Sequence, residues 1–479
     1  MRTALVIALE SPNPSLPKSF SFDYGFPRNA LLIASCIQEW GAKVGLFPKV
    51  LNADLKIRKK WEDTGKNKDV KAIFEDVLVE AIRVNDPELI CIVAPYTNVA
   101  NWAIHAARVC KATKPQALVV TGGAHASFVP QLLVGECDPK RGPIFDAVIL
   151  GPGEAKLKHL LENFDDPSRR FHHHGISTPQ NPLEFSSRAQ CNDIPIPVID
   201  YGIIQPDEIG HEGAVIMAGR GCPYTCPFCV EALYWSQASI PYYCSGNALR
   251  VRNELIALSR LQVPVFGCGD SVIDLRNNFF PRIKSFFEEA LSGLDLHEHF
   301  YILTRLHMLN KTGCQAFRKA GGRAVWVGIE TANPDLLTSM GKGEIPYIID
   351  VRLREAKRSD LRVGAFFMFG YPGETAETAR NTLKLIDNLF AEELIDYVDP
   401  SIFVPYPGLH MYNRPDDYKL KPYEPAWSDW DNWGRYNEPP VYDLMSLSRN
   451  EIFQYWKEAI EIKRTYDIRE IGRVAGGRA

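Results

Sequence analysis

Cys222, Cys226 and Cys229 fall within the stretch RGCPYTCPFC (220–229). Thiols at C-x3-C-x2-C spacing can be offered by a single loop to one shared ligand. A structural zinc site takes four ligands, usually from two knuckles set apart in sequence, and no later Cys or His pair supplies the second knuckle. A redox pair needs two thiols, not three. Three thiolates suit three corners of a [4Fe–4S] cube, since such clusters take Cys ligands. The fourth iron is then open to another ligand. The other eight cysteines are scattered singly, mostly in apolar stretches, and are expected to be small buried hydrophobes. A disulfide framework is not expected in a long chain without a secretion signal.

These thiols need a scaffold. They follow AVIMAG (214–219), a short strand signal. Five more strand signals come after: VPVFGCG (263–269), HFYILTRL (299–306), AVWVGIE (324–330), RVGAFFMFG (362–370) and YVDPSIFVPY (397–406). Helical stretches separate them. Six such units fit an incomplete β/α barrel, a (β/α)6 relative of the TIM barrel, better than a second open sheet, although periodicity alone does not decide between them; in such barrels chemistry gathers on the loops after the strands. Upstream, strands at 4–9, 43–47, 88–95, 117–123 and 147–154 alternate with helices at 29–41, 68–84 and 98–113. That alternation predicts a Rossmann-like, doubly wound parallel sheet, so the fold class is α/β. Glycines end two of its strands, in TGG (121–123) and GPGE (151–154). They either let a ligand approach the carboxyl edge of the sheet or simply make tight turns.

The expected domains are 1–165, a Pro-, Ser- and Asn-rich linker 166–212, the barrel 213–410 and an aromatic-rich, mainly helical region 411–479. His172, His173 and His174 read as a solvated loop, because no acidic or Cys partner lies at ligand spacing. In the tail Trp427, Trp430 and Trp433 recur every third residue, to line or cap a substrate cavity or to pack as ordinary hydrophobes. A helix is expected at 448–465.

With Phe228 just before the last Cys, the C-x3-C-x2-C loop resembles the hallmark of the radical S-adenosylmethionine (radical SAM) superfamily. VGIET (327–331), FGYPGET (369–375) and PYPG (405–408) resemble that family's fourth-, fifth- and sixth-strand motifs. VVTGGAHAS (119–127) and GPGE are similar to loops of the cobalamin-binding domain fused to one branch of it, although the Asp-x-His-x-x-Gly signature of other cobalamin proteins is absent. The resemblance spans about residues 1–410 and implies three cofactors: a [4Fe–4S] cluster on Cys222, Cys226 and Cys229, S-adenosylmethionine on its open iron, and cobalamin, cycling as methylcobalamin.

The resemblance also implies roles. Phe228 would pack near the adenine. Asp270 would hold the amino group of S-adenosylmethionine, or else cap a helix near Asp274. Glu330 would hydrogen-bond S-adenosylmethionine, or else form a salt bridge at the barrel rim. Arg305 would grip a carboxylate, or else form a structural ion pair. Gly370 and Gly373 would allow cofactor approach. Gly122, Gly123, His125, Ser127 and Gly153 are the cobalamin-loop candidates, His125 equally readable as a buried structural histidine.

A net charge of −4 and the absence of a long basic run disfavour general nucleic-acid binding. No apolar segment is long enough for a membrane span or signal core, so the expected address is the cytoplasm. The implied activity is class B methyl transfer: a 5′-deoxyadenosyl radical activates an unactivated carbon of a small natural product, peptide or lipid, and methylcobalamin methylates it. Oxidative cyclisation or rearrangement with the same cofactors is the alternative. A methylthiotransferase would need three more N-terminal cysteines and a basic tail, and a sensor would have little use for the later strand motifs. The chemistry implies a flavodoxin- or ferredoxin-type reductant as partner.

Overall fold

The computed structural model describes the chain apart from residues 1, 10–25, 95, 185–197, 206–207, 210–212, 238–243, 246, 277–282, 344–346, 425–426, 428–429, 431–437 and 477–479. It separates into two compact units. One comprises Met1–Ala214, Leu233–Pro241 and Glu254–Pro264, and the other Val215–Ala232, Tyr242–Asn253 and Val265–Ala479.

The first unit is built on strands β1 (Arg2–Ala8), β2 (Leu46–Asn52), β3 (Leu89–Val93), β4 (Leu118–Gly122), β5 (Ala147–Ile149) and β6 (Ile176–Ser177). Their order is β2-β1-β3-β4-β5-β6, parallel except for β6, which runs antiparallel to β5. Helices α1 (Arg28–Trp40), α2 (Ala53–Asp63), α3 (Val70–Asn85) and α4 (Ala100–Thr113) connect the strands. The order grows in one direction from β1 and in the other from β3. Loops leaving the carboxyl ends of those two strands therefore diverge, which opens the crevice where such sheets bind ligands.

Two expectations need correction here. The strand expected at 43–47 begins at Leu46, because residues 41–44 extend α1 by a 3-10 turn. Pro48 lies inside β2, which accepts it as an edge strand. The stretch expected as a linker from 166 contributes β6. Further on, Tyr201 is buried and its hydroxyl donates to Glu254 Oε1 at 2.9 Å.

In the second unit β7 (Ala214–Ile216), β8 (Val265–Cys268), β9 (Tyr301–Thr304), β10 (Ala324–Glu330), β11 (Arg362–Phe369) and β12 (Tyr397–Ile402) form one sheet in strictly sequential order. The pairings from β8 to β12 are parallel. Right-handed crossovers that always step the same way put every helix on one face, so the sheet curls into an open half-barrel. Burial follows. Val363, Ala365, Phe367 and Phe369 of β11 are inaccessible to solvent, whereas Arg362, Phe366 and Met368 on the other face are half-buried. The first set faces the helices and the second the concave interior.

The tail helix starts at Arg449, as expected, but continues to Gly476 (α5). Trp456 Nε1 on α5 donates to Pro400 O at 2.8 Å, so α5 covers the free edge of β12. Trp427 and Trp430 are buried, and Trp427 stacks on Tyr412 at 5.4 Å. Trp433 lies outside the described residues. Cys36, Cys91, Cys110, Cys268 and Cys314 are buried as expected, but Cys137 is exposed. Among the described residues no helix is long and apolar enough to cross a membrane.

Candidate active site

The cysteine loop leaves β7. Asp270, which follows β8, shapes its first turn: its carboxylate accepts the backbone N–H of Ala218 at 2.6 Å and that of Gly219. Asp270 is 1% exposed, and each of its oxygens accepts a backbone N–H. Cys222, Cys226 and Cys229 are all half-buried free thiols. Burial pushes Cys229 up to about 12 and raises Cys222, with the neighbouring cysteines adding to both shifts. Thiols in such surroundings stay protonated unless a cationic metal takes the proton's place.

Among the described residues no group of three His, Cys, Asp or Glu side chains is arranged to hold one metal ion. Thiolates on a single zinc would stand about 3.8 Å apart. Those on a cube ligate three different irons and stand further apart.

Arg305, at the end of β9, reaches this loop. Its Nη1 lies 3.8 Å from Cys226 Sγ, its guanidinium sits 3.9 Å over the Tyr224 ring, and its Nη2 donates to Lys342 O at 2.9 Å. Stacked and hydrogen-bonded, it is a fixed positive charge beside a sulfur. Glu330 ends β10 with φ 67°, a left-handed conformation that a non-glycine residue rarely adopts. Its carboxylate meets Lys342 Nζ at 2.8 Å, and both side chains are almost fully buried. The salt-bridge alternative for Glu330 therefore holds in this structure. Lys342 Nζ also donates to Gly328 O at 3.1 Å and lies 6.0 Å over the Phe228 ring. Gly341 brings this segment against the cysteine loop, since a Cβ there would stand 3.3 Å from Pro227.

Gly370 departs from expectation. Its φ is 80°, and the space a side chain would need is already filled by the tail: a Cβ would lie 2.8 Å from both Ile452 Cγ2 and Tyr442 Oη. Its freedom serves this contact with the tail. Tyr442 Oη sits 2.9 Å from Gly370 O and 2.8 Å from Phe403 O. Glu374 accepts the Gly370 N–H at 2.5 Å, and burial pushes its carboxyl up to about 8. Gly373 packs normally against Leu336.

In the first unit the glycine loops follow β4 and β5. A Cβ on Gly122 would come within 3.1 Å of Ile149 O, and Gly123 has φ 123°. Ser127 is fully buried and braces the two loops, donating to Gly123 O at 2.7 Å and accepting from Gly151 N at 2.8 Å. It therefore works within the protein. His125 Nδ1 pairs with Thr97 Oγ1 at 3.0 Å, and burial pushes the ring down to about 4, so it is neutral. Gly153 has an ordinary φ of −84° and caps the helix Glu154–Glu162. Gly151, with φ 64°, is the glycine that the turn requires. Lys156 is fully buried, with Nζ donating to Pro152 O at 2.8 Å, and holds this loop from beneath.

Residues 216–386 match the radical SAM superfamily model, and residues 27–161 match the B12 binding domain. The chain therefore combines a radical SAM domain with a B12-binding domain. An uncharacterised methyltransferase of Pyrococcus horikoshii is 28% identical, over 71% of each chain. The anaerobic magnesium-protoporphyrin IX monomethyl ester cyclase of Cereibacter sphaeroides is 24% identical, over 71% of this chain and 55% of that one. The fold is shared with the radical SAM methyltransferase TsrM of Kitasatospora setae, solved with cobalamin and a [4Fe–4S] cluster. The TM-score is 0.63 at 16% identity, covering 95% of this chain and 81% of that one. The radical SAM domain implies a [4Fe–4S] cluster and S-adenosylmethionine, and the B12-binding domain implies cobalamin, as the cofactor set of this enzyme.

Two residues that sequence reasoning missed hold these loops together. Lys342 is flanked by two glycines with left-handed φ, Gly341 and Gly343. That Gly-Lys-Gly, just beyond the VGIET motif, was the available signal. Tyr442 carried none, because its partners lie 39 and 72 positions away in the chain.

Proposed function

We propose that this enzyme is a cobalamin-dependent radical SAM methyltransferase that methylates an unactivated carbon of a small molecule, peptide or lipid. The observation that carries the reading is the union of the two family domains in a chain resembling a methyltransferase over 71% of both lengths. When bound, the cofactors supply a 5′-deoxyadenosyl radical and a transferable methyl group.

The residues supply placement. Cys222, Cys226 and Cys229 hold the cluster, and Arg305 keeps a fixed positive charge beside Cys226. Phe228 offers a ring face on the same loop, and the Glu330–Lys342 pair presents both charges to a zwitterionic ligand. In the B12-binding domain Gly122, Gly123 and Gly151 make the tight turns at the carboxyl edge of the sheet, with neutral His125 beside them. A flavodoxin- or ferredoxin-type protein is the one-electron donor.

The test is anaerobic turnover of the reduced, reconstituted enzyme with methyl-deuterated S-adenosylmethionine and candidate substrates. Methyl transfer gives a product carrying the label, with S-adenosylhomocysteine formed beside 5′-deoxyadenosine. The likeness to a cyclase favours a second reading, oxidative cyclisation. An unlabelled product lighter by two hydrogens would establish that reading and overturn methyl transfer.

A further inference from the structure

We propose that Asp399 anchors a cationic nitrogen of the substrate on the concave face of the half-barrel. This deepens the radical SAM reading above and rests on it for the identity of the site.

Strand register defines the surface. Trp326, Gly364 and Tyr397 are partners across β10, β11 and β12, and the next row on the same face is Gly328, Phe366 and Asp399. This is the face opposite the solvent-inaccessible Val363, Ala365 and Phe367, hence the concave one. Gly364 lets the Trp326 indole lie flat across β11, since a Cβ there would come within 2.2 Å of the ring. Trp326 packs on Phe366 at 5.0 Å and on Tyr397 at 6.0 Å, giving a continuous aromatic wall.

Asp399 borders that wall. No hydrogen bond or ion pair to it is found among the described residues. Burial pushes its carboxyl up to about 6, with the charge of Lys463 on α5 working in the other direction. A half-buried carboxyl without a donor is unfavourable, and a ligand N–H⁺ would satisfy it. A carboxylate beside aromatic faces is also the surface that suits an ammonium group on an apolar body.

The position fits the chemistry. Gly328 begins the same row, and a Cβ there would run into Glu330 Oε1 and Lys342 Nζ, so that pair lies over it. Asp399 is two strands further on, about 10 Å away. A ligand anchored on Asp399 would extend over Phe366 toward the residues assigned to S-adenosylmethionine.

The experiment is calorimetric titration of the cluster-reconstituted holoenzyme with 2-phenylethylamine and its neutral counterpart 2-phenylethanol. The expected result is saturable amine binding at least tenfold tighter than the alcohol, with that preference lost in Asp399→Asn. Lys463→Gln removes a competing cation and should tighten the amine. A purely structural Asp399–Lys463 pair predicts loss in both variants, so the opposite sign decides even if Asp399→Asn folds poorly. No saturable amine binding, equal binding of amine and alcohol, or an amine affinity in Lys463→Gln that is unchanged or weaker would overturn the proposal. Binding is read without turnover, so a failure of methyl transfer would not imitate a failure here.

Discussion

Lys342 meets Glu330 at 2.8 Å inside the half-barrel, and the backbone carbonyl of the same lysine accepts from Arg305, whose guanidinium lies 3.8 Å from Cys226. One residue therefore ties the end of β10 to the end of β9 and, through Arg305, to the cysteine loop. Replacing Lys342 with Met strands a buried carboxylate, which typically costs about 3–5 kcal/mol. The cluster-free protein should lose on the order of 10 °C in its unfolding midpoint. Lys342→Arg should recover part of the loss, and the double variant Lys342→Met with Glu330→Gln most of it. A midpoint unchanged in Lys342→Met would show that the pair carries no stability.

Cys222→Ala, Cys226→Ala and Cys229→Ala should each lower iron after anaerobic reconstitution from about four per chain toward zero, because three corners must be held together. Cys137→Ala should leave iron content unchanged, since Cys137 is an exposed thiol in the other unit. Iron and acid-labile sulfide assays read both. Full retention in any of the three loop variants would remove that cysteine from the ligand set.

Tyr442 joins the tail to the ends of β11 and β12. Tyr442→Phe leaves the buried carbonyls of Gly370 and Phe403 without this donor, at a cost of about 1–3 kcal/mol. Gly370→Ala should be worse, because its Cβ collides with Tyr442 and Ile452 and its φ of 80° is unfavourable for alanine. Hydrogen exchange should show faster opening of residues 442–460 in both variants, with the helices of the first unit unaffected. Unchanged protection would mean that the tail is held elsewhere.

What was legible in the sequence was local or periodic. The strand expected at 324–330 is β10 to the residue, because AVWVGIE is a continuous apolar run ended by a charge. The alternation of strands and helices gave both sheets, and three thiols on one loop needed no tertiary information. Contacts between distant segments were not legible. The resemblance implied a ligand role for Asp270, and nothing local shows that the N–H groups of Ala218 and Gly219 reach its oxygens. Ser127 looked like a loop contact for the same reason, although its hydroxyl is tied to Gly123 and Gly151. The two-residue β6 is too short to show a period.

Glu374 gives a pH signature. Its carboxyl is 1% exposed and burial raises it from an ordinary 4.5 to about 8, with the Gly370 N–H working in the other direction. Between those values the folded protein holds a proton that the unfolded chain has released. The stability from this group is thus fully present below about 4.5 and is lost as pH rises through about 8. The slope is at most about 1.4 kcal/mol per pH unit. Glu374→Gln keeps the shape without the titration, so its unfolding midpoint should fall less than that of the parent between pH 6 and 9. The gap between the two should shift in favour of the variant at the alkaline end. His125, pushed down to about 4, acts in another window, losing its contribution as pH falls from 6.5 toward 4. Parallel pH profiles of Glu374→Gln and the parent above pH 6 would mean that Glu374 is already ionised in the folded chain, with Tyr442 and Gly370 compensating for the buried charge.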